Sequence, residues 1–109
     1  MRTHDPALKP QVRLFARHAL IGAGEAQEIY VIVQDQYFRP MAKSQVSVTL
    51  TYPDQTEEIY RLTETNEFGI SQFSFPVPQF KVGEVISVQA TITLRGETAK
   101  GSTWFRVWW

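Results

Sequence analysis

Three observations predict an all-β domain. Apolar and polar residues alternate with period two along most of the chain, which assigns them to opposite faces of strands. Clusters of glycine, proline, asparagine and aspartate break the alternation at short intervals, as turns do. No stretch of useful length carries the spacing of an amphipathic helix.

Residues 1–10 contain Pro6 and Pro10 and no periodicity, and read as a linker or extended lead-in to a single domain over 11–109. "QVRLFARHAL" (11–20) alternates Val12, Leu14 and Ala16 against Arg13, Phe15 and Arg17, and Gly22 and Gly24 then turn the chain. "EIYVIVQD" (28–35) is apolar on both faces, as a central strand would be. "QYFRPMAKS" (36–44) is a loop whose proline ends pairing. "QVSVTLTY" (45–52) is a clean alternation, and "PDQT" (53–56) has turn chemistry. "EIYRLTET" (58–65) is a more polar strand, suited to a sheet edge. "NEFG" (66–69) turns at Gly69, and "ISQFSFPV" (70–77) leaves its sheet near Pro76 and Pro78. "GEVISVQATITL" (83–94) has the strongest alternation. "RGETAKGS" (95–102), with two glycines, reads as a hairpin loop, and "TWFRVWW" (103–109) closes the chain. About seven such strands in a chain of this size point to an immunoglobulin-like sandwich of two antiparallel sheets, ahead of a closed barrel.

Composition narrows the function classes. The chain has 109 residues, which suits one domain. Lysine plus arginine and aspartate plus glutamate are both 11, so no cationic excess exists to neutralise phosphates, and nucleic acid is not expected as a partner. Cysteine is absent, which excludes disulfides and thiolate metal sites. No apolar run is long enough to span a bilayer as a helix, and residues 1–10 lack the apolar core of a signal peptide. The chain is expected to be part of a longer exported protein, at the cell surface or outside the cell.

The motifs bear a resemblance. "IYVIVQDQYFRPMAKSQVSVTL" is similar to a segment of bacterial Ig-like domains of the invasin and intimin type, through Val31, Val33, Asp35, Pro40, Val46 and Val48. Thr65 and Gly69 match their T-x-x-x-G turn, which Phe73 and Phe75 follow; Gly83, Ile86, Val88 and Ala90 match a later strand. Asp35, Tyr37, Arg39 and Pro40 also resemble a D-x-Y-x-R-P run of macroglobulin-like modules, the near alternative. The resemblance implies a spacer or adhesion module, one of several in tandem, with no catalytic residues. This chain departs from the pattern where a glycine usually precedes the loop proline: it has Phe38-Arg39, a bulkier loop that would suit burial against a neighbour.

Candidate chemistry is sparse. His4 and His18 lack a nucleophile elbow, so no enzyme activity is expected. Asp35, Asp54, Glu64 and Glu67 fall at strand ends, but without a D-x-D-x-D-G cluster they read as loop charges, and no metal or cofactor is expected. Asp35 is placed to accept backbone N–H groups and fix its loop.

The aromatic residues carry the remaining signal. Tyr37, Phe38 and Arg39 form one candidate contact loop. By strand parity Phe105, Val107 and Trp109 face the core, with Trp109 capping its end, while Trp104, Arg106 and Trp108 face outward. If the first strand pairs with the last, Arg13, Phe15 and Arg17 join them in a single patch, with Gln89, Thr91 and Thr93 beside it. Such a patch suits an adjacent domain or a second copy of the protein. A carbohydrate-binding accessory module using Trp104 and Trp108 on a glycan is the second reading, and a chaperone- or inhibitor-like single domain the third.

Overall fold

The computed structural model describes residues 9–94 and 96–108. Its fold is the expected β-sandwich, with eight strands among the described residues: β1 (Gln11–Ala16), β2 (Leu20–Ile21), β3 (Ala26–Gln34), β4 (Val46–Thr51), β5 (Glu57–Arg61), β6 (Ile70–Pro76), β7 (Val85–Leu94) and β8 (Glu97–Val107). They form a three-stranded sheet, β1-β3-β6, and a five-stranded sheet, β2-β8-β7-β4-β5. Every pairing is antiparallel except that of β2 with β8. As expected, the apolar stretch that forms β3 is central and the polar β5 is an edge. Pro76 ends β6, an edge strand that can tolerate a missing donor.

The alternation read from the sequence builds the core. Ile29, Val31 and Val33 of β3 face Val48, Leu50, Ile86, Val88, Phe105 and Val107 of the larger sheet, all fully buried. Fully burying a side chain of this class contributes about 1.5–3 kcal/mol. Phe75 and Phe105, with ring centroids 6.0 Å apart, meet across the two layers.

Two expectations fail, for physical reasons. Residues 11–20 do not form one strand. The chain pairs with β3 as far as Ala16, crosses between sheets over Arg17–Ala19, and rejoins as β2 beside β8. Gln27 holds the crossing. Its fully buried amide accepts from the His18 N–H at 3.0 Å and donates to the His18 carbonyl at 2.7 Å. One side chain thus satisfies both backbone groups of a residue that pairs with neither sheet. The first strand therefore pairs with β3, and only its detached continuation pairs with β8.

Residues 97–102 are strand and not loop. The β7–β8 ladder runs to Leu94 opposite Glu97, so only Arg95 and Gly96 lie between the strands. Gly96 has the positive φ of a turn, +81°, whereas Gly101 is a packing glycine. A Cβ on Gly101 would lie 2.4 Å from the Val12 carbonyl oxygen and 2.9 Å from Leu14 Cδ1, so β1 lies against β8 only because no side chain stands between them. The tighter turn also resets the register. Trp104 pairs with Ser87, and the residues expected beside the tryptophans, Gln89, Thr91 and Thr93, pair with Ser102, Lys100 and Thr98. The proposed cap Trp109 and the start of the lead-in, residues 1–8, lie outside the described residues.

Replacing Gly101 by alanine is expected to push β1 away from β8 and to cost about 1–3 kcal/mol, the range for overpacking a filled site. Chemical denaturation measures it, and an unchanged midpoint would contradict the close approach.

Candidate functional site

The strands carry the candidate residues to two opposite poles. β3 ends, β4 begins and β6 begins at one pole, together with the 35–45 loop; this is the N-terminal pole, because β1 starts there with Gln11 opposite Gln34. At the other pole β8 ends and β7 begins, with Arg106 opposite Val85, and β4 turns into β5. This is the C-terminal pole.

Asp35 organises the first pole as the sequence predicts. It is buried at 3% exposure. Its Oδ1 accepts from the backbone N–H of Tyr37 at 2.8 Å and of Arg39 at 3.0 Å, and Oδ2 accepts from Arg39 Nε at 3.0 Å. Burial alone would push this carboxyl up. The two amides and the Arg39 guanidinium outweigh burial and hold it below the usual carboxylate range. The motif partners close the rest of the pole. Thr65 Oγ1 donates to the Met41 carbonyl and accepts from the Ser44 N–H. Gly69, at φ +73°, donates to the Asn66 carbonyl, accepts from the Val33 N–H and leaves no room for a Cβ beneath the Val33 oxygen.

The loop so fixed projects Tyr37, Phe38 and Arg39 outward, with Tyr37 55% and Phe38 60% exposed. Arg39 lies over the Tyr37 ring, 5.0 Å from its centroid. Phe38 has φ +63°, a left-handed conformation that a bulky residue adopts at a cost. It belongs to the Phe38-Arg39 pair that stands where the resemblance expects a glycine before the loop proline. Arg13 reaches from β1 over its ring at 5.7 Å.

The second pole holds the tryptophans, and parity is as predicted: Phe105 and Val107 are fully buried, while Trp104 is 57% and Trp108 50% exposed. The Arg106 guanidinium stands 5.5 Å from the Trp104 ring and donates to the Gly83 carbonyl at 2.9 Å. The six-residue patch does not assemble. Arg13, Phe15 and Arg17 belong to the outer face of the other sheet, because β1 pairs with β3. There Phe15 pairs with Tyr30, and Arg17 forms an ion pair with Glu28 at 3.0 Å. In their place stands Leu20, 46% exposed and paired with Arg106. Sequence reasoning missed Leu20 because it joined the residue to β1. It also missed Gln27, although a glutamine in phase with Ile29, Val31 and Val33 was a visible signal.

An open cleft of about 420 Å³ lies at the C-terminal pole, lined by Pro53, Asp54, Gln79, Phe80, Lys81 and Glu84. Phe80 stacks on the buried Tyr52 ring at 5.5 Å. Asp54 fixes the adjacent turn by accepting from the Thr56 N–H and hydroxyl. Of the other acidic candidates, Glu64 accepts from Gln45 Nε2 at 3.4 Å and Glu67 is exposed. His18 is exposed at the sheet crossing. Among the described residues, no group of three His, Asp or Glu side chains is placed to hold a metal ion.

Comparison with known proteins bears on the fold. No protein-family model matches the chain, and no curated protein matches it in sequence. Solved structures do match. A tetra-tandem repeat in the extending region of a large adhesion protein superposes with a TM-score of 0.67 at 14% identity, over 93% of this chain and 24% of that one. The alkylpurine DNA glycosylase AlkC of Pseudomonas fluorescens, bound to DNA with an abasic-site analogue, gives 0.61 at 13% identity, over 94% of this chain and 30% of that one. The CARDB domain of the PF1109 protein of Pyrococcus furiosus, in complex with di-metal ions, gives 0.55 at 12% identity, over 96% and 97%. This chain therefore spans a quarter to a third of the first two structures, and at these identities the likeness is one of fold: a small, all-β, Ig-like domain.

Two predictions follow from the poles. The Asp35 carboxyl is held below its unfolded value, so its contribution is complete above the ordinary aspartate pKa of about 3.9 and is lost as pH falls through the lower, folded value. Thermal melts should place Asp35→Asn below the wild type at neutral pH, with the gap closing below about pH 4. A gap independent of pH would contradict the charge-based account. In the second pair, Phe105→Ala should cost about 3–5 kcal/mol and Trp104→Ala no more than about 0.5 kcal/mol in denaturant titrations. Equal losses would mean that the strand faces are misassigned.

Proposed function

We propose that this domain is a non-catalytic, Ig-like module of a larger bacterial surface or secreted protein of the invasin and intimin kind. It acts as a spacer and as a protein–protein contact unit. The path of the chain carries the reading. Lys9 lies at the N-terminal pole, its backbone N–H bonded to Gln36 Oε1 at 2.7 Å. Val107 lies at the C-terminal pole, where it accepts from the Gly83 N–H and donates to the Glu84 carbonyl. A chain that crosses a domain from pole to pole adds that domain's length to whatever it connects. The similarity to a repeat in the extending region of an adhesion protein supports the same role. So does the work of the acidic side chains, since Asp35 and Asp54 hold loops in place. The expected partner is an adjacent domain or a second copy, outside the cell.

A second reading rests on one observation: the exposed Trp104 ring stands opposite Ser87 and follows the exposed Ser102, so an indole lies beside hydroxyls that could bind a sugar. Two measurements separate the readings. An antibody against the domain should label intact cells of the source bacterium, and external protease should remove the label; labelling only after lysis would overturn the surface role. Glycan-array binding lost in Trp104→Ala would favour the sugar reading over the spacer.

A further inference from the structure

The two poles differ in shape and in charge. At the N-terminal pole the Asp35 loop presents Phe38, exposed and held at positive φ by the Asp35 network, with Arg39 beside it. A strained, exposed aromatic gains nothing for its own core, and such strain persists where it serves a contact. Around this loop Asp35 and Arg39 cancel as an ion pair, and Lys9, Arg13 and Lys43 outnumber Glu64 and Glu67. The C-terminal pole is concave. The open cleft is lined by the apolar Pro53 and Phe80 and the acidic Asp54 and Glu84, with Lys81 the cation among its lining residues. Glu57 and Glu58 lie just beyond on β5, and with Asp54 and Glu84 they outnumber Lys81 and Arg106, so this pole is acidic.

We propose that Phe38 of one copy of this domain inserts into the Pro53–Phe80 cleft of a second copy, with the cationic rim of the Asp35 loop facing Asp54 and Glu84. The open cleft, of about 420 Å³, is wide enough for one aromatic ring to lie against Phe80. The contact is head to tail, so it does not close on itself and builds a line of copies. The chain positions agree with it: Lys9 is bonded within the projecting loop, and Val107 is bonded to Glu84 of the cleft. Two copies joined in one chain would hold these surfaces at high effective concentration. The inference rests on the spacer reading and adds the surface through which neighbours dock.

The test uses the 109-residue chain itself. Amide NMR spectra are recorded from micromolar to millimolar concentration. The expected result is concentration-dependent shifts at Phe38 and Arg39 together with Asp54, Phe80 and Glu84, weakened by salt. Phe38→Gly removes the ring at a position where glycine relieves the backbone strain. It should keep the melting temperature and weaken association by about tenfold or more. Glu84→Lys should weaken association without unfolding the domain. Three outcomes would overturn the proposal: no concentration-dependent shifts; shifts confined to Trp104, Leu20 and Ser87, which would mark a sheet-face dimer; or a Phe38→Gly variant that melts well below the wild type, which would give Phe38 a role in its own fold. None of these alters the outcome of cell-surface labelling, so a failed interface and a failed spacer role remain distinguishable.

Discussion

The three hydrogen bonds accepted by the Asp35 carboxylate fix the N-terminal pole. They bend the chain leaving β3 so that Met41 returns to the Val33 carbonyl, and Gly69 then packs against the same oxygen. Loop, turn and strand end thus share a single backbone site. The carboxylate stays charged because its own loop supplies donors in the right directions, and that charge in turn fixes the guanidinium of Arg39. Phe38 is held at positive φ between the two residues whose amides bind Asp35 or carry its counter-charge. The exposed aromatic tip is therefore a product of the loop's internal bonding.

The same economy appears at the sheet crossing. A strand that changes sheets must leave backbone groups unpaired, and Gln27 takes both groups of His18. The crossing lets the N-terminal segment serve both layers: β1 extends the small sheet, and β2 pairs along the edge of β8 in the larger one. No buried side-chain polar atom among the described residues is left without a partner.

Much of this was legible in the sequence. Alternation located the faces of β3, β4, β7 and β8, because a buried sheet face imposes period two on its own strand. Asp35 and Gly69 were readable because each solves a local backbone problem. The failures concern contacts between distant segments. Gly96 and Gly101 are alike in the sequence, but one turns the chain and the other admits Val12 from another layer. The crossing at Arg17–Ala19 depends on Gln27, and no local pattern around His18 marks it. The patch of six residues failed for the same reason, since its membership depended on which sheet β1 joined. The cleft was equally hidden: Pro53 and Glu84 are far apart in the chain and become neighbours only when two loops meet at one pole.

The central claim is that the chain crosses this domain from pole to pole, so that copies extend a line. Small-angle X-ray scattering on two copies joined in one chain tests it most directly. The account predicts a rod with a maximum dimension close to twice that of one domain. A dimension near that of a single domain, with the copies side by side, would contradict it.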